Sequence, residues 1–176
     1  LATLLLVLVV GAELGLLAGV ALSVALFIRN SSQPNITQVG RLGESEQFRS
    51  VKRYPVNLHE QILALRIDEN IFFANAVQIE EKLLRRVLGR HGTKHLLLVC
   101  NAVNHIDATG LSMLLRVNQQ LQSSGVQLHF SDIKGPLMQQ LDQTELARGI
   151  SGEIFFNADQ AFKSLTGDST AAHANP

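Results

Sequence analysis

From Leu1 to Ile28 the chain carries one charged residue, Glu13, in the run LATLLLVLVVGAELGLLAGVALSVALFI. That exceeds the roughly 20 apolar residues a helix needs to cross a bilayer. A cleaved signal peptide would have a basic start and an apolar stretch of about 7–15 residues, and neither is present. The run reads as membrane sequence. Because it begins with Leu rather than Met, the chain reads as a piece of a longer protein.

Gly11-Ala12-Glu13-Leu14-Gly15 interrupts the run near its middle. An ionised Glu facing lipid at the bilayer centre costs a few kcal/mol. Either one long tilted helix packs Glu13 against other protein, or two short segments, about Leu1–Val10 and Leu14–Ile28, meet at a turn near the surface. The second reading is favoured. Gly15, Gly19 and Ser23 recur every four residues, the spacing that lets membrane helices approach closely. Such a face wants partner helices.

Residues 29–38, beginning Arg29-Asn30-Ser31-Ser32-Gln33-Pro34-Asn35, read as a polar linker. Between Arg29 and Arg53 the bases Arg29, Arg41, Arg49, Lys52 and Arg53 outnumber the acids Glu44 and Glu46, which places this segment on the cytoplasmic side by the positive-inside rule. A basic segment beside a membrane can attract anionic lipid heads at roughly 1 kcal/mol per charge. A plain solvated face is the simpler reading.

Phe48 to Pro55 reads as an edge strand closed by the proline. Ile62–Ile67 and Ile71–Ala76, either side of the Asp68-Glu69-Asn70 bend, suggest a hairpin leading into a helix. Asn75 is placed to cap that helix, with Val77, Ile79, Leu83, Leu84, Val87 and Leu88 on its buried face. Glu80 and Glu81 early and Arg85, Arg86 and Arg90 late complement the helix dipole, and Glu81 can pair with Arg85.

The central unit runs from Lys94 to Leu121. Leu96 to Cys100 form an unbroken apolar run, the pattern of a strand buried on both faces. A polar bend follows, then Ile106-Asp107-Ala108-Thr109-Gly110, then leucines 111, 114, 115 and 121 at helical spacing. Asp107 and Thr109 thus stand where a helix begins, with free backbone N–H groups and a partial positive charge. Either residue can cap the helix for about 1 kcal/mol. The hydroxyl of Thr109 can alternatively present itself where a phosphate would be tolerated.

Beyond this unit, Val126–Ile133 alternates as a strand, Gly135-Pro136 starts a helix with Leu137, Met138 and Leu141 facing inward, and Ile154-Phe155-Phe156 is a short last strand. Asn157 caps a final helix with Ala158, Ala161, Phe162 and Leu165 on one face. Strands alternating with helices imply an α/β fold with a mostly parallel sheet covered by helices.

Acids and bases balance at 15 each, so no net field favours nucleic acid. The single Cys100, inside an apolar strand, excludes a disulfide framework and reads as a small buried hydrophobe. The six histidines show no helical pairing with an acid that suggests a metal site, and no Gly-x-Ser-x-Gly or P-loop pattern occurs. His105, beside the Asp107–Thr109 loop, is the one suggestive neighbour for acid–base chemistry. The residues point to no enzyme, no cofactor and no metal.

The Asp107-x-Thr109-Gly110 loop after a buried strand resembles the STAS domain, shared by anti-sigma-factor antagonists and by the cytoplasmic tails of SulP/SLC26-type anion transporters. In the antagonists the hydroxyl residue before the glycine is the phosphorylated one, and Thr109 stands there, while Asp107 matches the family acid. Val39-Gly40-Arg41-Leu42, Phe48-Arg49-Ser50-Val51-Lys52-Arg53-Tyr54-Pro55 and Phe72-Phe73-Ala74-Asn75-Ala76 are similar to SulP phrases. The first two belong to the SulP lead-in, and the antagonists do not carry the Phe48–Pro55 phrase. Glu13, Gly15 and Gly19 match the turn and small-residue pattern of the last SulP membrane helices.

The chain thus divides into transmembrane segments over 1–28, a linker over 29–38 and, by the resemblance, a STAS domain over 39–166, while the small, polar stretch 167–176 reads as a disordered tail. The resemblance also implies sulfate, bicarbonate or a similar small anion as the transported substrate. The STAS domain would be regulatory, membrane lipid and a second copy of the chain would be partners, and a regulatory protein would meet the STAS loop. The substrate-coordinating residues would lie upstream. The alternative is a membrane-tethered signalling switch controlled by phosphorylation of Thr109.

Overall fold

The computed structural model describes residues 11–31 and 33–167, in two compact units that divide between Gln33 and Pro34. The expected segment Leu1–Val10 and the tail beyond Gly167 lie outside the described residues.

The first unit is helix α1 (Ala12–Ser31). Gly11 turns the chain with φ of +99°, a conformation that suits glycine, and its carbonyl accepts the N–H of Gly15 at 3.0 Å. Helix α1 begins just after it, and Glu13 falls in the first turn, where its charge complements the helix dipole. The leucines, valines and phenylalanine of α1 are largely exposed. Among the described residues it is the one helix long and apolar enough to cross a membrane.

The second unit comprises β1 (Ile36–Arg41), β2 (Phe48–Ser50), β3 (Ile62–Ile67), α2 (Ala76–Leu88), β4 (His95–Val99), α3 (Ala108–Ser123), β5 (Gln127–Ser131), α4 (Gly135–Asp142), α5 (Glu145–Gly149), β6 (Ile154–Phe155) and α6 (Ala158–Thr166). The sheet order is β2-β1-β3-β4-β5-β6. β1 is antiparallel to both neighbours, whereas β3 to β6 run parallel, each joined to the next by a helical crossover.

Alternate residues of the central strands enter two cores. Leu63, Leu65, Leu96, Leu98, Leu128 and Phe130 pack with α2, α3, α4 and α5, while Ile62, Ala64, Leu97, Val99 and Phe155 pack with α6. Burial on both faces explains why β3 and β4 read as unbroken apolar runs.

Several local expectations are corrected. The stretch 29–38 is not all linker, since α1 reaches Ser31 and β1 begins at Ile36. β2 is confined to Phe48–Ser50. Ile71 does not pair with β3 in a hairpin. It forms a single parallel bridge to Ile106. Asn75 stands at the start of α2 without a cap bond to it, and Val77 and Leu88 are exposed rather than buried. Helix α5 was not expected, and Phe156 lies exposed beyond β6.

Candidate functional site

The site is the loop between β4 and α3, together with the Asn70–Asn75 segment leading into α2. β4 ends in the fully buried sheet interior, and burial pushes the Cys100 thiol up to about 12, so it stays protonated and inert. The chain then meets Asn70–Phe73 as a short parallel zip. The Ile71 N–H donates to the His105 carbonyl and the Asp107 N–H to the Ile71 carbonyl, both at 3.1 Å.

Two asparagines hold this zip. Asn70 Oδ1 accepts the N–H groups of Asn104 and His105, at 2.8 and 3.1 Å. Asn75, fully buried, donates through Nδ2 to the Asn70 carbonyl and accepts the Phe72 N–H through Oδ1. The Asn75 amide is thus spent on the turn ahead of α2, which is why it does not cap that helix. Gln140 of α4 donates to the Ile106 carbonyl, fixing the loop from the other side.

Asp107 is the N-cap of α3. Its Oδ1 accepts the Gly110 N–H at 2.7 Å, and its Oδ2 accepts the Phe73 N–H at 2.9 Å. One carboxylate therefore starts α3 and ties it to the entrance of α2. Gly110 allows the close approach, because a Cβ there would lie 2.9 Å from Ile71 Cγ2 and 3.0 Å from the Ile71 carbonyl oxygen.

Thr109 is exposed in the first turn of α3, and its hydroxyl bonds to no other described residue. Of the two residues read as possible caps, Asp107 does the capping. His105 enters the site through its backbone alone. With both oxygens of Asp107 held by N–H donors, the arrangement is a structural clasp that leaves one hydroxyl presented at a helix N-terminus.

Among the described residues no group of three or more His, Cys, Asp or Glu is placed to hold a metal. Glu13, Gly15, Gly19 and Ser23 belong to the other unit, on α1. Asn70 and the Phe73 N–H were not anticipated as parts of the site. The only sequence signal was the pair of asparagines flanking Ile71-Phe72-Phe73-Ala74.

The STAS domain family matches residues 53–161. Sulfate transporter 3.1 of Arabidopsis thaliana is 28% identical over 143 residues, a stretch that makes up 76% of this chain and 22% of the transporter. High affinity sulfate transporter 2 of Stylosanthes hamata is 28% identical over 172 residues, covering 91% of this chain and 26% of that protein. The chain thus spans about a quarter of the length of these relatives. Among solved structures, the murine Solute Carrier 26 family member A9 anion transporter in its inward-facing state has the same fold over 94% of this chain and 28% of its own, with a TM-score of 0.81 at 15% identity.

Proposed function

The chain belongs to the STAS domain family, and from that membership we propose that it is the C-terminal portion of a SulP-type secondary active transporter for sulfate or a similar small anion. Helix α1 closes a membrane domain, packing against other spans through Gly15, Gly19 and Ser23. The second unit stands on the cytoplasmic side and acts in regulation, assembly or trafficking, in a homodimer.

The observation that carries this reading is the reach of the likeness to a plant sulfate transporter. It extends over 91% of the chain, and the remaining 9% is too short to leave the 20 residues of α1 outside it. The exposed apolar side chains of α1 support a lipid-facing role. The clasp geometry of Asp107 supports a non-catalytic one.

The test is uptake of labelled sulfate and bicarbonate by vesicles holding the full-length protein. Saturable uptake of either anion is expected. An intact protein that moves neither anion would overturn the assignment.

A second reading, a membrane-tethered switch of the antagonist type, is favoured by one feature. Thr109 presents its hydroxyl at the start of α3 while Asp107 alone supplies the cap, so a phosphate there would meet the helix N-terminus without displacing the cap. Phosphate on Thr109 in protein from its native cell, with partner binding altered by Thr109→Ala and Thr109→Glu, would support it. An unmodified Thr109 and indifferent variants would dismiss it.

A further inference from the structure

Acids and bases balance over the whole chain, but not on one side of the second unit. Two adjoining concavities, of about 390 and 370 Å³, share Asn35, Thr37 and Lys52. Their cationic lining is Arg49, Lys52, Arg53, Arg66, Arg86 and Arg90, and Asp68 is the one carboxylate among the lining residues. Arg66 takes that carboxylate, to which Asn35 and Thr37 also donate.

The other five cations have no acidic partner among the described residues. The Arg90 guanidinium donates to the carbonyls of His59 and Ile62, at 2.8 and 3.2 Å, which aim it without neutralising it. Arg49 donates to the neutral amide of Gln47. The side chains of Lys52, Arg53 and Arg86 are exposed and make no described bond. Gathering uncompensated like charge works against folding, and an incoming anion relieves it. Guanidinium forks match phosphate oxygens in pairs, and a lysine adds a mobile point charge.

Chain connectivity says where that anion comes from. Asn35, shared by both concavities, is four residues beyond Ser31, the last residue of α1. An extended chain covers at most about 14 Å in four residues, comparable with the roughly 10 Å reach of unscreened charge at ordinary salt. With α1 in a membrane and the second unit on its cytoplasmic side, as proposed above, a basic surface on so short a tether comes within reach of the inner-leaflet headgroups. The basic stretch that reads from sequence as a solvated face is joined here by Arg66, Arg86 and Arg90, from β3 and from the end of α2 and just beyond it. We infer that these concavities receive the phosphorylated headgroup of an anionic membrane lipid of the phosphoinositide class. The inference rests on α1 lying in a membrane.

The test places the whole chain in nanodiscs of phosphatidylcholine doped with a phosphatidylinositol bisphosphate, and measures retained lipid by native mass spectrometry. Enrichment of the bisphosphate lipid is expected for the wild type, and a loss of at least about tenfold for the K52Q/R53Q/R86Q variant. A variant with equal charge loss elsewhere, R85Q/K94Q/R148Q, should keep the enrichment. Unchanged thermal unfolding of both variants shows that neither loss is a folding defect.

A wild type that enters the discs without enriching the lipid, or equal loss in both variants, overturns the inference and leaves the membrane reading standing. A chain that stays out of the discs overturns the membrane reading, and this inference with it. Equally tight binding of inositol hexakisphosphate in pure phosphatidylcholine discs, with no preference for the lipid, would replace the lipid by a soluble phosphate.

Discussion

His95 Nδ1 and His129 Nε2 face each other at 3.1 Å across β4 and β5. His129 Nδ1 accepts the Glu153 N–H at 3.0 Å, so the neutral ring carries its proton on Nε2 and donates it to His95. Gly152 and Phe155 pack on the His129 ring. Burial, with His95 alongside, depresses His129 to about 4. His95 is lowered too, by burial first and then by Lys94 and His59.

In the unfolded chain these rings take protons near pH 6.5, whereas folded His129 refuses one until about pH 4. Stability from this pair is therefore complete above pH 6.5 and falls as the pH drops through that window, at about 1.4 kcal/mol per unit for one ring. Denaturant unfolding at pH 7, 6 and 5 should show this decline, and His129→Gln should flatten it. Parallel profiles for the two proteins would refute the assignment.

At Gly110 the expected cost is steric. The Cβ of Gly110→Ala would press on Ile71, including its carbonyl oxygen, and on Ile106 at 3.0 Å. A loss of about 1–3 kcal/mol is expected, measured as a lowered denaturation midpoint with an unchanged slope. A neutral Gly110→Ala would mean that the α2 and α3 entrances separate easily.

Asp107 and Thr109 should separate cleanly. Asp107→Ala strands the N–H groups of Gly110 and Phe73 and is expected to lower stability by about 2 kcal/mol. Thr109→Ala removes an unbonded hydroxyl and should change it by less than about 0.5 kcal/mol. Comparable losses from the two substitutions would show that both residues cap α3.

The strand, loop and helix around Asp107 were legible in the sequence because burial on both faces of β4 and the leucine spacing of α3 are local signals. The parallel sheet followed from the alternation of elements. The other half of the site was not legible. That Asp107 Oδ2 reaches Phe73, 34 residues away, depends on β3 and β4 lying side by side, and no spacing along the chain encodes it. Ile71–Ala76 was read as a strand from its apolar residues, yet Asn75 spends its amide on the Phe72 N–H and the Asn70 carbonyl and favours a turn there, while Asn70 turns its own to the N–H groups of Asn104 and His105. Val77 and Leu88 each follow a buried residue, Ala76 and Val87, and so lie about 100° round the helix from it, off the stripe of Ala76, Ile79, Leu83 and Val87.

Helix α6 is tied to the sheet by charge, and this link can be broken selectively. Asp159, nearly buried in the first turn of α6, lies 3.0 Å from Nε of Arg41 at the end of β1 and 2.6 Å from Nζ of Lys163. The Arg41 contact lacks hydrogen-bond alignment on Asp159 Oδ1, and the Arg41 Nε–H points instead to the Ser45 carbonyl, so the link is coulombic. Asp159→Ala leaves Arg41, only 18% exposed, without its counter-charge and should lower stability by about 2–3 kcal/mol. Replacing both partners by apolar residues, Arg41→Met with Asp159→Leu, removes the stranded charge and should recover part of that loss. Unfolding midpoints of the single and double variants decide the matter: a double variant no better than Asp159→Ala would mean that packing at α6, rather than the unpaired cation, sets the cost.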